Sequence, residues 1–274
     1  MPRRITSQQL IDLIGTDRCP HIVDVRRRQV FDVARRRIAG AVWRDHMAEV
    51  GQQLPDSWQL FRDGKPIIVY CVHGHNVSEI AAAKLSAAGL DVAILEGGFE
   101  VFEAAGGPTV ATSVAGFDLS DGPSEWVTRE RPKIDRIACP WLIRRFIDPY
   151  AVFHFVAAEW VRDVAEETGW IPYDVEGVHF SHRGEECSFD TLLKEFGITD
   201  RAMLHLARIV RGADTARPDL EPQAAGLLAL SLGLSALEAD DHRQLEKGMV
   251  LYDALYAWCR HATEERHNWP ARAA

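Results

Sequence analysis

Cys71 ends the apolar run Pro66-Ile67-Ile68-Val69-Tyr70 and is followed by Val72-His73-Gly74-His75-Asn76-Val77-Ser78, after which residues 79–88 have helical character. A cysteine where a buried strand exits toward a helix start meets unpaired backbone N–H groups and the positive end of the helix dipole. That setting favours thiolate over thiol and can hold a second anionic sulfur. The chemistry it points to is a cysteine that carries sulfur as a persulfide. An isolated cysteine is ordinarily inert packing. Here, however, Val72 is the only apolar residue among the five that follow Cys71, and Gly74 permits backbone angles that let the loop curl its amides inward. His73 and His75 can each donate a hydrogen bond and, when protonated, lower the pKa of the thiol. Asn76 and Ser78 can shape the loop or cap the helix.

Three short apolar runs must position that loop. His21-Ile22-Val23-Asp24-Val25, the run at 66–70 and Val92-Ala93-Ile94-Leu95 read as strands. Ile80, Ala81, Lys84, Leu85 and Ala88 mark a helix between the last two, ended by Gly89. Thr6 through Gln9 has the form of a capping box, ahead of Leu10, Ile11, Leu13 and Ile14 at helical spacing. Strand, helix and strand with continuously apolar strands predicts a parallel βαβ unit covered on both faces, with Cys71 at a carboxyl strand end where open α/β sheets place their ligands. From Gly106-Gly107-Pro108 to about Ser124, small and polar residues including Asp118, Asp121, Gly122 and Pro123 predict a linker. Beyond it the pattern is mostly helical. Trp141-Leu142-Ile143 with Phe146-Ile147 forms an apolar stripe that stops near Asp148-Pro149. A strand is expected at 151–156, and helices over 204–210, 224–232 and about 240–266, the last burying Leu245, Met249, Tyr252, Leu255, Tyr256 and Cys259.

The chain has 274 residues, 47% hydrophobic and 26% charged, with a net charge of −9. This describes a globular chain with a sizeable core, one large domain or two of ordinary size, and argues against general nucleic-acid binding. No apolar run approaches membrane-spanning length. Polar Thr6-Ser7-Gln8-Gln9 stands where a secretory signal needs an apolar stretch, so a cytoplasmic protein with no membrane partner is expected. Five scattered cysteines (Cys19, Cys71, Cys139, Cys187, Cys259) form neither a disulfide framework nor paired zinc spacing. That fits a reducing compartment, where a cysteine acts through its own reactivity.

The ordered set Val23-Asp24-Val25-Arg26, Ile38-Ala39-Gly40-Ala41-Val42, Tyr70-Cys71 with its loop, and Leu95-Glu96-Gly97-Gly98-Phe99 resembles a single-domain rhodanese, a sulfurtransferase. The resemblance implies a parallel sheet flanked by helices over 1–108 and Cys71 as nucleophile. It implies that the amides of Val72, His73, Gly74, His75, Asn76 and Val77 hold the persulfide. It also implies a small-molecule sulfur donor (thiosulfate or a low-molecular-weight persulfide) and a thiol acceptor, with no cofactor. Many rhodaneses carry an arginine within or at the end of this loop, whereas His75, Asn76 and Val77 stand there in this chain. A low-molecular-weight persulfide or a protein partner is therefore as good a donor candidate as thiosulfate. Phosphatase-like chemistry, which needs that arginine to clamp a phosphoryl group, is disfavoured. Asp24 is expected to brace the fold by pairing with a basic group. The runs Arg26-Arg27-Arg28 and Arg35-Arg36-Arg37 are expected to be solvated surface.

After a linker at 109–125, residues 126–270 resemble the carboxy-terminal domain of the ChrB family, associated with chromate resistance. The matching blocks run from Arg131-Pro132-Lys133-Ile134-Asp135-Arg136 through Cys139-Pro140-Trp141 to Asp148-Pro149, then His182-Arg183-Gly184, Cys187-Ser188-Phe189-Asp190, Ile209-Val210-Arg211-Gly212-Ala213-Asp214 and Tyr252-Asp253-Ala254-Leu255-Tyr256. The fold class expected overall is α/β: a rhodanese-like parallel sheet flanked by helices, followed by a mostly α-helical second domain. Lys133, Arg136, Arg144 and Arg145 cluster in sequence and suit an oxyanion such as chromate or sulfate, but internal ion pairs with Asp135, Asp148 and similar residues are the preferred account of them. His179, His182, Glu185 and Cys187 are metal-ligand types in a short span. On a strand the two histidines would face opposite ways, so no metal is expected and His179, His182 and Cys187 stand only as candidates. The expected function is a persulfide carrier linked to chromate or oxidative stress resistance. The alternatives are a non-enzymatic oxyanion or redox sensor and a metal-dependent stress enzyme in the second domain.

Overall fold

The capping box at Thr6 forms as its spacing predicts. The Thr6 hydroxyl accepts from the Gln9 N–H, and the Gln9 side chain accepts from the Thr6 N–H, opening α1 (Ser7–Leu13). The structure, a computed structural model, describes residues 3–47, 56–117 and 122–265. Ahead of α1 lies β1 (Arg3–Ile5), a strand too short and too basic to show in the pattern. Then come β2 (His21–Asp24), α2 (Arg28–Asp32), β3 (Arg36–Ile38), β4 (Ala41–Trp43), β5 (Ile67–Tyr70), α3 (Val77–Ala87), β6 (Val92–Leu95), α4 (Gly98–Ala104) and β7 (Thr109–Ala111). The main sheet has the order β1-β6-β5-β2-β4 with every pair parallel, so β5 is its central strand.

Alternation along β5 sorts its side chains. Ile67, Val69 and Cys71 face a layer made by Ala81, Ala82 and Leu85 of α3 together with Trp58 and Phe61. Ile68 and Tyr70 face the opposite layer, which holds Leu10 of α1 and Phe102 of α4. Both faces are therefore buried, which is why the strands carry no polar alternation.

The second half is built from β8 (Glu125–Arg129), α5 (Asp135–Leu142), β9 (Val152–Val156), α6 (Val161–Thr168), β10 (Ile171–Pro172), α7 (Ser188–Glu195), α8 (Arg201–Asp214), α9 (Ala224–Leu237) and α10 (Asp241–His261). A parallel three-stranded sheet, β10-β8-β9, adds to the helices. The apolar stripe after Trp141 is α5 continued by a π-helical turn, Ile143–Ile147, and it stops where Asp148 turns extended.

The stretch 109–125 does more than connect. β7 pairs antiparallel with β3, and Ala111 N–H donates to the Phe196 carbonyl at 2.9 Å. Asp118 and Asp121 lie outside the described residues. One apolar core runs from Ile68, Tyr70 and Leu95 of the first sheet to Trp141, Phe146 and Tyr256 of the second half. Gly15, at φ +81°, lets the Phe146 and Tyr256 rings approach so closely that a Cβ there would stand 2.6 Å and 2.7 Å from them.

Neither arginine run is simply the solvated surface expected of it: Arg36 and Arg37 reach across this seam, and Arg26 is buried within the first half. Arg37 is buried and donates to the carbonyls of Ala41 at 2.6 Å and Ile147 at 3.1 Å. Arg36 donates to Thr109 and to the Gly197 carbonyl at 2.9 Å. Arg26 is 4% exposed and holds the wholly buried Asp24, which also accepts from the Tyr70 hydroxyl at 2.8 Å. Asp24 thus braces the strand ends, as expected of it. No helix among the described residues is long and apolar enough to cross a membrane.

Candidate active site and a second polar cluster

Cys71 follows the central strand directly, and its loop is gripped from below by the turn after β6. Phe99 N–H donates to the Cys71 carbonyl at 2.9 Å, and Glu100 N–H to the Val72 carbonyl at 3.2 Å. The approach is backbone to backbone. A Cβ on Gly98 would lie 2.5 Å from the Cys71 carbonyl and 2.5 Å from Gly74 N, and one on Gly74 would lie 2.5 Å from the Leu95 carbonyl. This is the physical content of the Leu95-Glu96-Gly97-Gly98-Phe99 block. Since Gly98 is also at φ +62°, Gly98→Ala is expected to cost about 1–3 kcal/mol through overpacking and strain, measured by urea denaturation.

The residue carrying the sulfur is 7% exposed, at the floor of the loop, while His73, His75 and Asn76 above it are exposed. Burial pushes the Cys71 thiol up, but the Ser78 hydroxyl and the N–H groups of His73, Ser78 and His75 outweigh it, leaving the pKa below the ordinary cysteine value. In the neutral form the thiol donates to the His75 carbonyl at 3.5 Å, a single acceptor set against those several donors. The other four cysteines move the opposite way, each driven first by burial. Cys19 is pushed up to about 12, Cys259 to about 11, and Cys139 and Cys187 well above the usual value.

Of the two roles weighed for the histidines, the loop amides of His73 and His75 act on the thiol, and no imidazolium influence accompanies them. The His73 ring turns outward to Glu100 at 3.2 Å, with both side chains exposed. Asn76, at φ +20°, occupies the position before α3 without a side-chain cap. Ser78 is the member whose part was not foreseen: its hydroxyl is buried, is engaged by no other group, and is the largest influence lowering the Cys71 pKa without closing a full hydrogen bond to the sulfur. Val72 and Val77 are half-buried flanks, and Gly74 is fixed by its carbonyl accepting from Arg4 at 3.2 Å. Ser78→Ala is expected to move the pH profile of Cys71 alkylation to higher pH, because it removes the largest influence favouring the thiolate. Iodoacetamide rates across pH measure this.

The four cations considered for an oxyanion do not converge. Arg136 pairs with Asp174 at 3.3 Å, Arg144 with Glu246 at 2.6 Å, and Arg145 with Asp253 at 2.7 Å, while Lys133, one turn ahead of Arg136, is half-buried. The three arginines form internal ion pairs, as expected of them, with Asp174, Glu246 and Asp253 in place of Asp135 and Asp148. Asp148 accepts instead from Ser124 N–H at 2.7 Å and its hydroxyl at 2.6 Å.

Asp135 belongs to a second cluster. It is fully buried and accepts from the N–H groups of Ser188 at 2.6 Å and Phe189 at 3.2 Å, at the start of α7. His182 Nε2 lies 3.6 Å from Asp135, 3.2 Å from Asp174 and 3.2 Å from Asp214. Asp174 is held by the Ser188 hydroxyl at 2.9 Å and by Arg129 and Arg136. Burial, followed by the neighbouring carboxylates Asp214 and Asp174, drives the Asp135 pKa well up. Hydrogen bonds to Asp174 and Asp214 push His182 up to about 10.

The other metal candidates go elsewhere. His179 pairs with Glu195 at 3.1 Å, and the buried Cys187 thiol donates to Asp190 at 3.3 Å. Asp135 and Asp214 both lie in blocks quoted above for the second-half resemblance, but nothing local in the sequence marked Asp174.

Comparison with known proteins agrees with this division of the chain. Residues 6–105 match the rhodanese-like domain family, and residues 126–259 match the family described as ChrB, C-terminal domain. A curated relative, Protein ChrB of Cupriavidus metallidurans, is 33% identical over 134 residues, which is 48% of this chain and 40% of the relative. Two similar solved structures cover 39% of this chain each. One is a protein of unknown function and possible tyrosine phosphatase from Rhodopseudomonas palustris (28% identity, 83% of that chain, TM-score 0.34). The other is a rhodanese-related protein from Thermoplasma volcanium (27% identity, 97% of that chain, TM-score 0.31). The chain therefore joins a rhodanese-like domain to a ChrB carboxy-terminal domain.

Proposed function

We propose that the first domain is a sulfurtransferase that carries sulfane sulfur on Cys71 and that the fusion serves chromate or oxidative stress resistance. The single observation that carries the reading is that Cys71, alone among the five cysteines, has its thiol pKa lowered, by a hydroxyl and three main-chain N–H groups of its own loop. The Cys71 thiolate attacks the outer sulfur of a donor; the new S–S bond forms as the donor's bond to that sulfur breaks, and the remainder of the donor leaves with the electron pair. The loop N–H groups then face the terminal sulfur of the persulfide, replacing the water that would otherwise solvate it. An acceptor thiolate takes that sulfur and Cys71 returns as thiolate.

The loop offers no arginine, so the donor is held by main-chain dipoles and a low-molecular-weight persulfide suits it at least as well as thiosulfate. The test is incubation with glutathione persulfide or thiosulfate, removal of the donor, and intact mass. A gain of one sulfur per chain, removable by a small thiol, is the expected result. A mass that never changes with either donor sinks the reading.

A further inference from the structure

We infer that Asp135, His182 and Asp214 form a binding site for one divalent first-row transition-metal ion of the Mn2+, Fe2+ or Zn2+ class. The inference is independent of the chemistry at Cys71. Four separate elements meet here: the start of α5 brings Asp135, the start of α7 lies beneath it, the end of α8 brings Asp214, and the loop before α7 brings His182.

The decisive feature is the neighbourhood of one nitrogen. His182 Nε2 can hold one hydrogen, yet three carboxylate oxygens stand 3.2, 3.2 and 3.6 Å from it. Elsewhere among the described residues an imidazole nitrogen meets one carboxylate, as in His21 with Asp63 at 2.7 Å and His154 with Glu125 at 2.8 Å. Single pairs elsewhere reach 3.1 Å (His179 with Glu195) and 3.2 Å (His73 with Glu100), so the number of carboxylates around His182 Nε2 sets it apart, not their distance. From His182 Nε2 to the two proposed carboxylate ligands, the 3.2 Å to Asp214 and 3.6 Å to Asp135 lie between the edge and the diagonal of a coordination polyhedron. Ligands bonded at about 2.1 Å to an octahedral ion lie about 3.0 Å apart on an edge and about 4.2 Å across. The donor atoms of Asp135, His182 and Asp214 all lie within 4.8 Å of one another.

Charge points the same way. Neither Asp135 nor Asp214 has a Lys or Arg ion pair among the described residues. Asp214 closes α8, where the helix dipole disfavours an anion. A cation between these groups supplies what one imidazole hydrogen cannot. Asp174, tied to Arg129, Arg136 and Ser188, flanks the site and adds negative charge beside it. Two carboxylates and an imidazole without thiolate select a cation of intermediate hardness. His182 is 40% exposed, so the site opens to solvent on that side.

The test uses the tag-free full chain, treated with a chelator and dialysed, then titrated with MnCl2 while the EPR signal of free Mn2+ is read. One equivalent is expected to be taken up. His182→Gln and Asp214→Asn should each weaken uptake at least about 10-fold, while His154→Gln, remote from the cluster, should leave it unchanged. Circular dichroism checks that each variant is folded. Because a ligand that binds only the folded state raises its unfolding temperature, the wild-type chain should melt higher with MnCl2 than without, which supports the site even if one variant fails to fold. No stoichiometric uptake by the wild type, undiminished uptake in both cluster variants, or equal loss in His154→Gln overturns the inference. Persulfide formation at Cys71 should persist in the cluster variants, so failure here is distinguishable from failure of the proposed sulfur chemistry.

Discussion

The Cys71→Ser chain is expected to gain no sulfur from glutathione persulfide or thiosulfate and to lose sulfur transfer by about 10^3-fold or more. A serine hydroxyl in the same cradle stays protonated at neutral pH, and its oxygen cannot form the persulfide. The loss is expected to be specific because the remaining sulfurs are unsuited to replace it. Cys139 and Cys187 are wholly buried with their thiols pushed well up, and Cys19 and Cys259 titrate only near 12 and 11. Peptide mapping of the wild-type persulfide should place the extra sulfur on Cys71 alone. Sulfur found on another cysteine, or transfer undiminished in the variant, would refute the assignment. The loop should survive the substitution, since its shape comes from main-chain bonds to Phe99 and Glu100 and from the glycines beneath it.

Phe146→Ala should destabilise the entire chain by about 3–5 kcal/mol, lowering the midpoint of thermal unfolding by roughly 6–20 °C for a chain of this size class. Phe146 is fully buried and stands edge-on to Tyr256, with ring centroids 5.4 Å apart, and 5.8 Å from Trp141. On its other side it presses against the bare backbone of Gly15 in the first domain. Its own carbonyl accepts from Gly40 N–H at 2.6 Å. Removing the ring opens a cavity at the point where the two halves share one core, and neither half can close it alone. One cooperative transition is expected, with Cys71 becoming alkylable in denaturant at the same midpoint as the loss of helical circular dichroism. Two separated transitions, with only the second-domain signal displaced, would show that the halves do not depend on this contact.

Local chemistry was written plainly in the first domain. The continuously apolar strand at 66–70, the Thr6 box and the helix ended by Gly89 were all legible because each depends on residues close in sequence. The loop cysteine was legible for the same reason: strand exit, permissive glycine and helix start are consecutive. The sulfur's actual partners were less so. The ring chemistry of His73 and His75 attracted attention, yet their main-chain N–H groups serve the sulfur together with Ser78, whose buried hydroxyl depends on how α3 is set against the sheet.

Arginine placement shows where local pattern stops. Arg26-Arg27-Arg28 and Arg35-Arg36-Arg37 look alike as strings of cations, yet Arg26 and Arg37 are buried while Arg27, Arg28 and Arg35 are exposed. Charge alone does not distinguish them. Their fate depends on whether Asp24, or the carbonyls of Ala41, Ile147 and Gly197, lie within reach once the chain has folded. Arg136, Arg144 and Arg145 repeat the lesson, since neighbours in sequence point to separate carboxylates contributed by distant segments.

The order of residues was enough to specify a parallel sheet, a loop cysteine at the end of its central strand and a helical second half, because backbone periodicity and turn chemistry act over a few residues. The joining of both halves through one core, and the meeting of Asp135, Asp174, His182 and Asp214, required the folded chain. Those contacts span roughly ten to more than a hundred positions. Which distant groups become neighbours is settled when apolar surfaces leave water together, a cooperative event that no short window of sequence contains.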